Sequence, residues 1–373
     1  MTERKADTES FTQEVDVLVA GSGAGAFAAA LTANSEGLDV LMVEKSDKYG
    51  GSSSYSGGGV WIPNHPVLVR HGQVDDPEVV LRYLVNIAGD VVTPERLRRY
   101  VDEAPRMAEF IMRQSRWLAD GFVWYKGYSD YHPDKGGNPL GRGIWPKPVN
   151  LGKINHDWEN QRAREITRGS ALPKGAWMTS FDVHDLIRLR WGVDRVQVAR
   201  CLSRLGVRIV RYRLFRERWT TAGAALIARL RKATLEHSIP LWLSSPIIEL
   251  ITDGGDVVGA VVERNGKPVR IRARRGVVLA TGGFDHSARR TSYQPEVVVG
   301  WSAGSPSNAG DGQWIGEKVG AALDLMDDAW WMPGFVLPPG GSAMLALSVF
   351  ERQYPGQYIV NSAGKRFVSE PAP

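Results

Sequence analysis

The sequence predicts an α/β fold: a parallel sheet covered by helices, with a small β-meander attached. Three observations carry this. A short apolar run, Val15–Ala20, meets a glycine-rich turn and then passes into an alanine-rich stretch and a second run ending at Glu44. Two strand candidates, Glu249–Thr252 and Val257–Arg264, flank Asp253-Gly254-Gly255-Asp256, a hairpin signal. A fully apolar run, Gly276–Ala280, closes on Thr281-Gly282-Gly283.

The first unit is the most specific. Val15–Ala20 is apolar and short, the pattern of a strand buried on both faces. Gly25–Glu36 has helical spacing, and Gly37 can cap its C-terminus. Leu38–Glu44 supplies a second strand, which completes a βαβ unit of Rossmann type. The turn Gly21-Ser22-Gly23-Ala24-Gly25-Ala26 fits GxGxxA. Gly21 permits the tight turn and Gly23 the approach of backbone to a pyrophosphate. The small Ala26 lets helix and strand pack, while the helix N-terminus offers amide donors. Glu44 stands where it can accept from both ribose hydroxyls, which favours FAD or NAD over NADP. Lys45 and Ser46 follow directly and are read into the same cofactor site.

The stretch 46–66 reads as a long loop rich in glycine and serine. Gly50, Gly51, Ser52, Ser53 and Ser54 suit wrapping of a pyrophosphate and a polyol arm. Gly57, Gly58 and Gly59 suit backbone approach to a flat ring. Such an excursion after the acid selects FAD over NAD. Ala280, Thr281, Gly282 and Gly283 put a backbone bend at the carboxyl edge of the sheet. Asn308-Ala309-Gly310-Asp311-Gly312 opens a further helix near 312–321, whose amides can face an electron-rich group. A plain capped helix start is the alternative there.

Elsewhere the reading is coarser. Residues 1–13 form a polar leader without the apolar core of a secretion signal, so a cytoplasmic protein is expected. Residues 76–118 read as helices, one starting at Thr93-Pro94. The stretch 125–180 is rich in loops, and helical patterning resumes over 182–204 and 221–237. The expected domains are the leader, an FAD-binding domain over 14–329 with an insertion at 125–180, and the start of an α+β substrate domain over 330–373. One cysteine excludes a disulfide within the chain, and the seven histidines form no metal pair. The net charge of +5 hides a concentration: ten arginines lie between Arg188 and Arg218. A solvated helix surface is the plain reading, and a peripheral contact with anionic lipid the sharper one. No recognition motif accompanies the charge, so nucleic acid is not expected as a partner.

Taken together, the stretches VDVLVAGSGAGAFAAALTA, LMVEKSDKYGGSSSYSGGGVWIPNHP, GVVLATGGFDH, SNAGDGQWIGEKVGAALDLMDDAWWMPG and PGQYIVNSAGKRFVSEPAP resemble the FAD-dependent 3-ketosteroid Δ1-dehydrogenases. That family lies within the fumarate reductase/succinate dehydrogenase flavoprotein superfamily. The resemblance implies removal of hydrogens from C1 and C2 of a 3-ketosteroid A ring, hydride to FAD and proton to a tyrosine base. The electron acceptor stays open. The resemblance puts that tyrosine one position beyond Pro373, so the chain reads as a C-terminally truncated member, inactive by itself. It also implies a catalytic or substrate-contact role for Tyr131, with Tyr125 and Tyr128 as competitors, and packing of Trp330 and Trp331 at the start of the substrate domain. A fumarate- or urocanate-type reductase, or a non-catalytic FAD-binding fragment, are the alternatives.

Overall fold

The computed structural model describes residues 10–126, 128–162, 182, 195–297, 301–331, 334–336, 345–347 and 358–368. The first nine residues of the leader, the helical patterning expected over 183–194 and the end Ser369–Pro373 lie outside them.

The expected βαβ unit forms β1 (Gln13–Ala20), α1 (Ala24–Ser35) and β2 (Val40–Val43). Gly37 takes φ +77° just past the helix, the left-handed turn that a glycine accepts without strain. The loop expected over 46–66 is broken by a short helix, α2 (Gly51–Tyr55), and a short strand, β3 (Val60–Trp61). Two amphipathic helices follow, α3 (Pro77–Ala88) and α4 (Pro94–Arg113). Each starts with proline behind a capping side chain: Asp76 accepts from the Glu78 amide and Thr93 from the Arg96 amide.

The insertion contains real structure. β4 (Phe122–Trp124) and β5 (Gly143–Pro146) pair with β3 in the order β3-β5-β4. Beyond it lie α5 (Arg195–Phe215), which runs past the expected end at 204, and α6 (Ala222–Glu236). The remaining strands are β6 (Leu241–Trp242), β7 (Ile247–Asp253), β8 (Asp256–Arg264) and β9 (Lys267–Leu279), followed by α7 (Asp311–Lys318).

One six-stranded sheet joins the two halves of the prediction, in the order β6-β2-β1-β9-β8-β7. β6, β2, β1 and β9 are parallel, while β9-β8-β7 form the antiparallel meander. The 276–280 run is thus the second half of one long strand: its first half pairs with β8 and its second with β1. Alternation along β1 makes the layers. Val19 points with Met42 into a core shared with Phe27, Leu31, Ile227 and Leu230 of α1 and α6. Leu18 and Ala20 point the other way, toward Leu250, Ala260, Ile271 and Ile315.

Candidate active site: a dinucleotide cleft

A cleft of about 540 Å³ opens beyond the carboxyl ends of β1, β2 and β9, where an open parallel sheet offers its binding crevice. Its geometry begins with Gly21, at φ +113°. A Cβ there would stand 2.1 Å from the Ala280 carbonyl oxygen, so only glycine lets the exits of β1 and β9 run side by side. Gly23 caps α1 with no side-chain hydrogen bond, and Ser53 Oγ accepts from the Ala24 amide at 3.1 Å. The next amides of the first turn point at the cleft with no partner from the preceding turn, as an anion site requires.

Glu44 is buried at 9% exposure and is held at both oxygens. Ser22 Oγ donates to Oε2 and the Ser46 amide to Oε1. Ser22 Oγ in turn accepts from the Gly50 amide at 2.9 Å, so one hydroxyl ties the glycine turn, the acid and the start of α2 together. Across the cleft, Lys45 pairs with the Asp311 carboxylate at the start of α7. Ser52 Oγ accepts from the Ser305 amide and from Asn308 Nδ2, both at 2.9 Å. Thr281 Oγ1 accepts from the Gly312 amide at 3.0 Å, which fixes α7 against the end of β9.

Most of the sequence-predicted site residues meet here. Gly21, Ser22, Gly23, Ala24, Gly25, Ala26, Glu44, Lys45, Ser46, Gly51, Ser52, Ser53, Ala280, Thr281, Gly282, Asn308 and Asp311 all line the cleft. Gly50, Ser54, Gly57, Gly58, Gly59 and Gly283 do not. Gly58 is packed against the Ala222–Gly223 backbone, where a Cβ would come within 2.7 Å, and Gly59 against the Trp145 indole. Gly50, at φ +115°, caps α2 from behind, while Ser54 is fully buried beneath it.

Arg162, Ser245, Ser305 and Ser307 are among the lining residues that escaped sequence reasoning. Each is a single polar residue in an aperiodic stretch, and only the chain's return to the sheet edge brings it to the cleft. Free amides at α1, a buried acid held in place and a glycine cradle that any Cβ would fill fit an adenine dinucleotide with an unphosphorylated ribose.

The sequence pattern of the FAD binding domain family matches residues 16–373. The chain belongs to this FAD-binding family. Its cofactor is FAD. The 3-oxosteroid 1-dehydrogenase of Mycolicibacterium smegmatis is 39% identical over 371 residues, 97% of this chain and 62% of that protein. The crystal structure of a 3-ketosteroid delta1-dehydrogenase from Sterolibacterium denitrificans, in complex with 1,4-androstadiene-3,17-dione, superposes with a TM-score of 0.83. It is 35% identical over 97% of this chain and 64% of that one. A probable fumarate reductase of Shewanella frigidimarina is more distant, at 23% identity. The chain therefore spans less than two thirds of the length of the dehydrogenases it matches. It resembles 3-ketosteroid Δ1-dehydrogenases among FAD-dependent oxidoreductases.

The aromatic loop of the FAD-binding chain lies on the β3-β5-β4 sheet. Tyr125 and Tyr128 pack on Trp145, with ring centroids 5.6 Å and 4.7 Å away. Burial, and then neighbouring Tyr131, push the Tyr128 hydroxyl up to about 12. Tyr131 itself is 48% exposed, and its carbonyl accepts from Tyr83 Oη at 2.7 Å. Beneath the loop Arg142 is buried between two carboxylates. Its Nε donates to Asp75 at 2.8 Å and its Nη1 to Asp130. Asp130 also accepts from Trp61 Nε1 at 2.8 Å. Trp330 and Trp331, expected to pack, are 80% and 54% exposed, and Trp331 Nε1 donates to Asp328.

Proposed function

We propose that the protein containing this chain is a 3-ketosteroid Δ1-dehydrogenase. The observation that carries the reading is the likeness, at 35% identity and a TM-score of 0.83, to a dehydrogenase solved with a 3-ketosteroid. FAD, when bound, supplies the hydride acceptor, and the lining residues of the glycine turn, Glu44, Ser52, Asn308 and Asp311 hold it. In this reading 14–329 is the FAD-binding domain and 330–373 begins the substrate domain.

Tyr131 is the residue of this chain proposed to contact substrate. It is exposed on a loop whose base is locked by a buried ion pair, and its hydroxyl neighbours Tyr128. The substrate is a 3-ketosteroid whose A ring is saturated at C1–C2. The test is anaerobic mixing of that steroid with the flavin-loaded complete protein. Steroid-dependent bleaching of the flavin band is expected, and Tyr131→Phe should slow it by roughly 100-fold with FAD content unchanged. Fumarate oxidising the reduced flavin, with no bleaching by steroid, would favour the reductase alternative instead.

For localisation, the reading is a cytoplasmic protein in peripheral contact with anionic membrane. No helix among the described residues is long and apolar enough to cross a membrane. α5 carries six arginines and no acid. It buries Val198 and Cys201 on one side, while Val196, Val207, Val210 and Leu214, each more than half exposed, fall on the other at helical spacing. An apolar stripe flanked by arginines is the pattern of a helix lying in a headgroup layer. Co-sedimentation with phosphatidylglycerol vesicles, weakened by salt and absent with phosphatidylcholine vesicles, is the expected result. Equal recovery in the supernatant with both would remove this part of the reading.

A further inference from the structure

We propose that Arg162 is the cationic clamp on the pyrophosphate of FAD, reaching the cleft from the insertion and not from the Rossmann unit. The inference rests on FAD as the cofactor and concerns a residue outside every motif that the sequence displays.

The described lining of the cleft includes Glu44, Lys45, Asp311 and Arg162 as the ionisable groups. Lys45 is engaged by Asp311, and Glu44 is held by Ser22 and Ser46. Without Arg162 the lining would set two carboxylates against a single ammonium, and a doubly charged pyrophosphate would enter a negative cleft. The α1 N-terminus contributes only about half an elementary charge of positive potential. With Arg162 the lining side chains balance, and the amide donors can act on the anion unopposed.

The guanidinium of Arg162 is only partly engaged. Nε of Arg162 is buried and makes no hydrogen bond among the described residues. Among the described residues Nη2 reaches Ser307 Oγ, at 3.3 Å, and the group lies 5.9 Å over the Tyr55 ring. A guanidinium carries five N–H donors, and one long hydrogen bond leaves donor capacity for an oxygen anion bound in the cleft. An arginine can meet that anion with two parallel donors, the fork that matches a phosphate.

The segment that carries Arg162 is fastened on three sides. The Tyr49 amide donates to the Asn160 carbonyl at 2.9 Å, and the Arg162 amide donates back to the Tyr49 carbonyl at 2.8 Å. Gln161 Nε2 donates to the Ala224 carbonyl on α6 at 2.6 Å. Arg231, also on α6, donates from Nε to Asp157 at 2.9 Å. Tyr49, fully buried in the α1–α6 core, is itself the residue before the α2 cap. The insertion is thereby stitched to the cofactor loop immediately beside the glycine turn, and its arginine is held at the cleft before any ligand arrives.

The experiment is a titration of the FAD-free chain with FAD, at low and at raised salt, for the parent, Arg162→Gln and Arg162→Lys. Arg162→Gln should bind FAD on the order of 10- to 100-fold more weakly with an unchanged melting temperature of the FAD-free protein, and with a shallower dependence on salt. Arg162→Lys, which keeps the charge and loses the fork, should fall between the two. Affinity of Arg162→Gln within twofold of the parent overturns the proposal and leaves the cofactor assignment intact. A parent that binds no FAD overturns both. Should Arg162→Gln fail to fold, Arg162→Lys decides: a several-fold loss supports the clamp, and parental affinity overturns it.

Discussion

Replacing Gly21 with alanine is expected to abolish flavin retention and to destabilise the fold at the same time. The residue sits at φ +113°, where an L side chain is strained, and its added methyl would stand 2.1 Å from the Ala280 carbonyl oxygen. Neither obstacle is a flexible side chain that could turn away. Relief requires β1 and β9 to part at their carboxyl ends, where Ala20 pairs with Leu279 and where the cleft begins. A rearrangement costing about 3 kcal/mol corresponds to a loss of roughly 100-fold in FAD affinity. Gly25→Ala is the matched control. Gly25 lies within α1, has no atom within 4 Å of an added Cβ, and should leave the melting temperature unchanged or raise it. Equal melting temperatures and flavin content for Gly21→Ala and the parent would refute this account of the turn.

The second large effect is expected at Arg142. Its side chain is 4% exposed and lies between Asp75 and Asp130, at 7% and 1%. Arg142→Ala would leave two buried carboxylates without their cation and strip the Trp61 and Tyr83 rings of the guanidinium 5.9 Å and 5.8 Å away. Removal of one partner from a buried ion pair costs about 3–5 kcal/mol. The loss should appear as an earlier midpoint in denaturant unfolding, and a change below about 1 kcal/mol would contradict the reading. The consequence for function is local. The Asn138 and Arg142 amides both donate to Asp130, so the same carboxylate closes the loop on which Tyr131 stands.

These two residues also mark what the sequence could and could not display. Gly21 was legible because a parallel strand, a turn that only glycine accepts and a helix N-terminus leave their signatures within a few neighbouring residues. The meander turn was legible for the same reason: Gly254 and Gly255 take φ +59° and +96° between two alternating strands. Arg142 was not, because a buried ion pair needs partners that are far apart along the chain, and Asp75 is 67 residues away. The first half of β9 carries a strand signal of another kind, with Arg270, Arg272 and Arg274 alternating with Val269, Ile271 and Ala273, and no apolar run like that at 276–279. α2 escaped because glycine and serine are weak helix formers, and tertiary packing against α6 overrides their preference. The glycines at 58 and 59 were visible as glycines, but whether a ligand or the protein's own backbone fills the space beside them is a matter of tertiary contact.

The central claim is that this chain holds FAD in the cleft between β1, β2 and β9, with Glu44 on the ribose side. Its most direct test is to load the purified chain with FAD, desalt it, and measure the flavin that remains against protein concentration. The account predicts a yellow protein carrying a single equivalent of FAD, which Glu44→Ala and Gly21→Ala each lose. A colourless parent, or flavin retained equally by both variants, would contradict it.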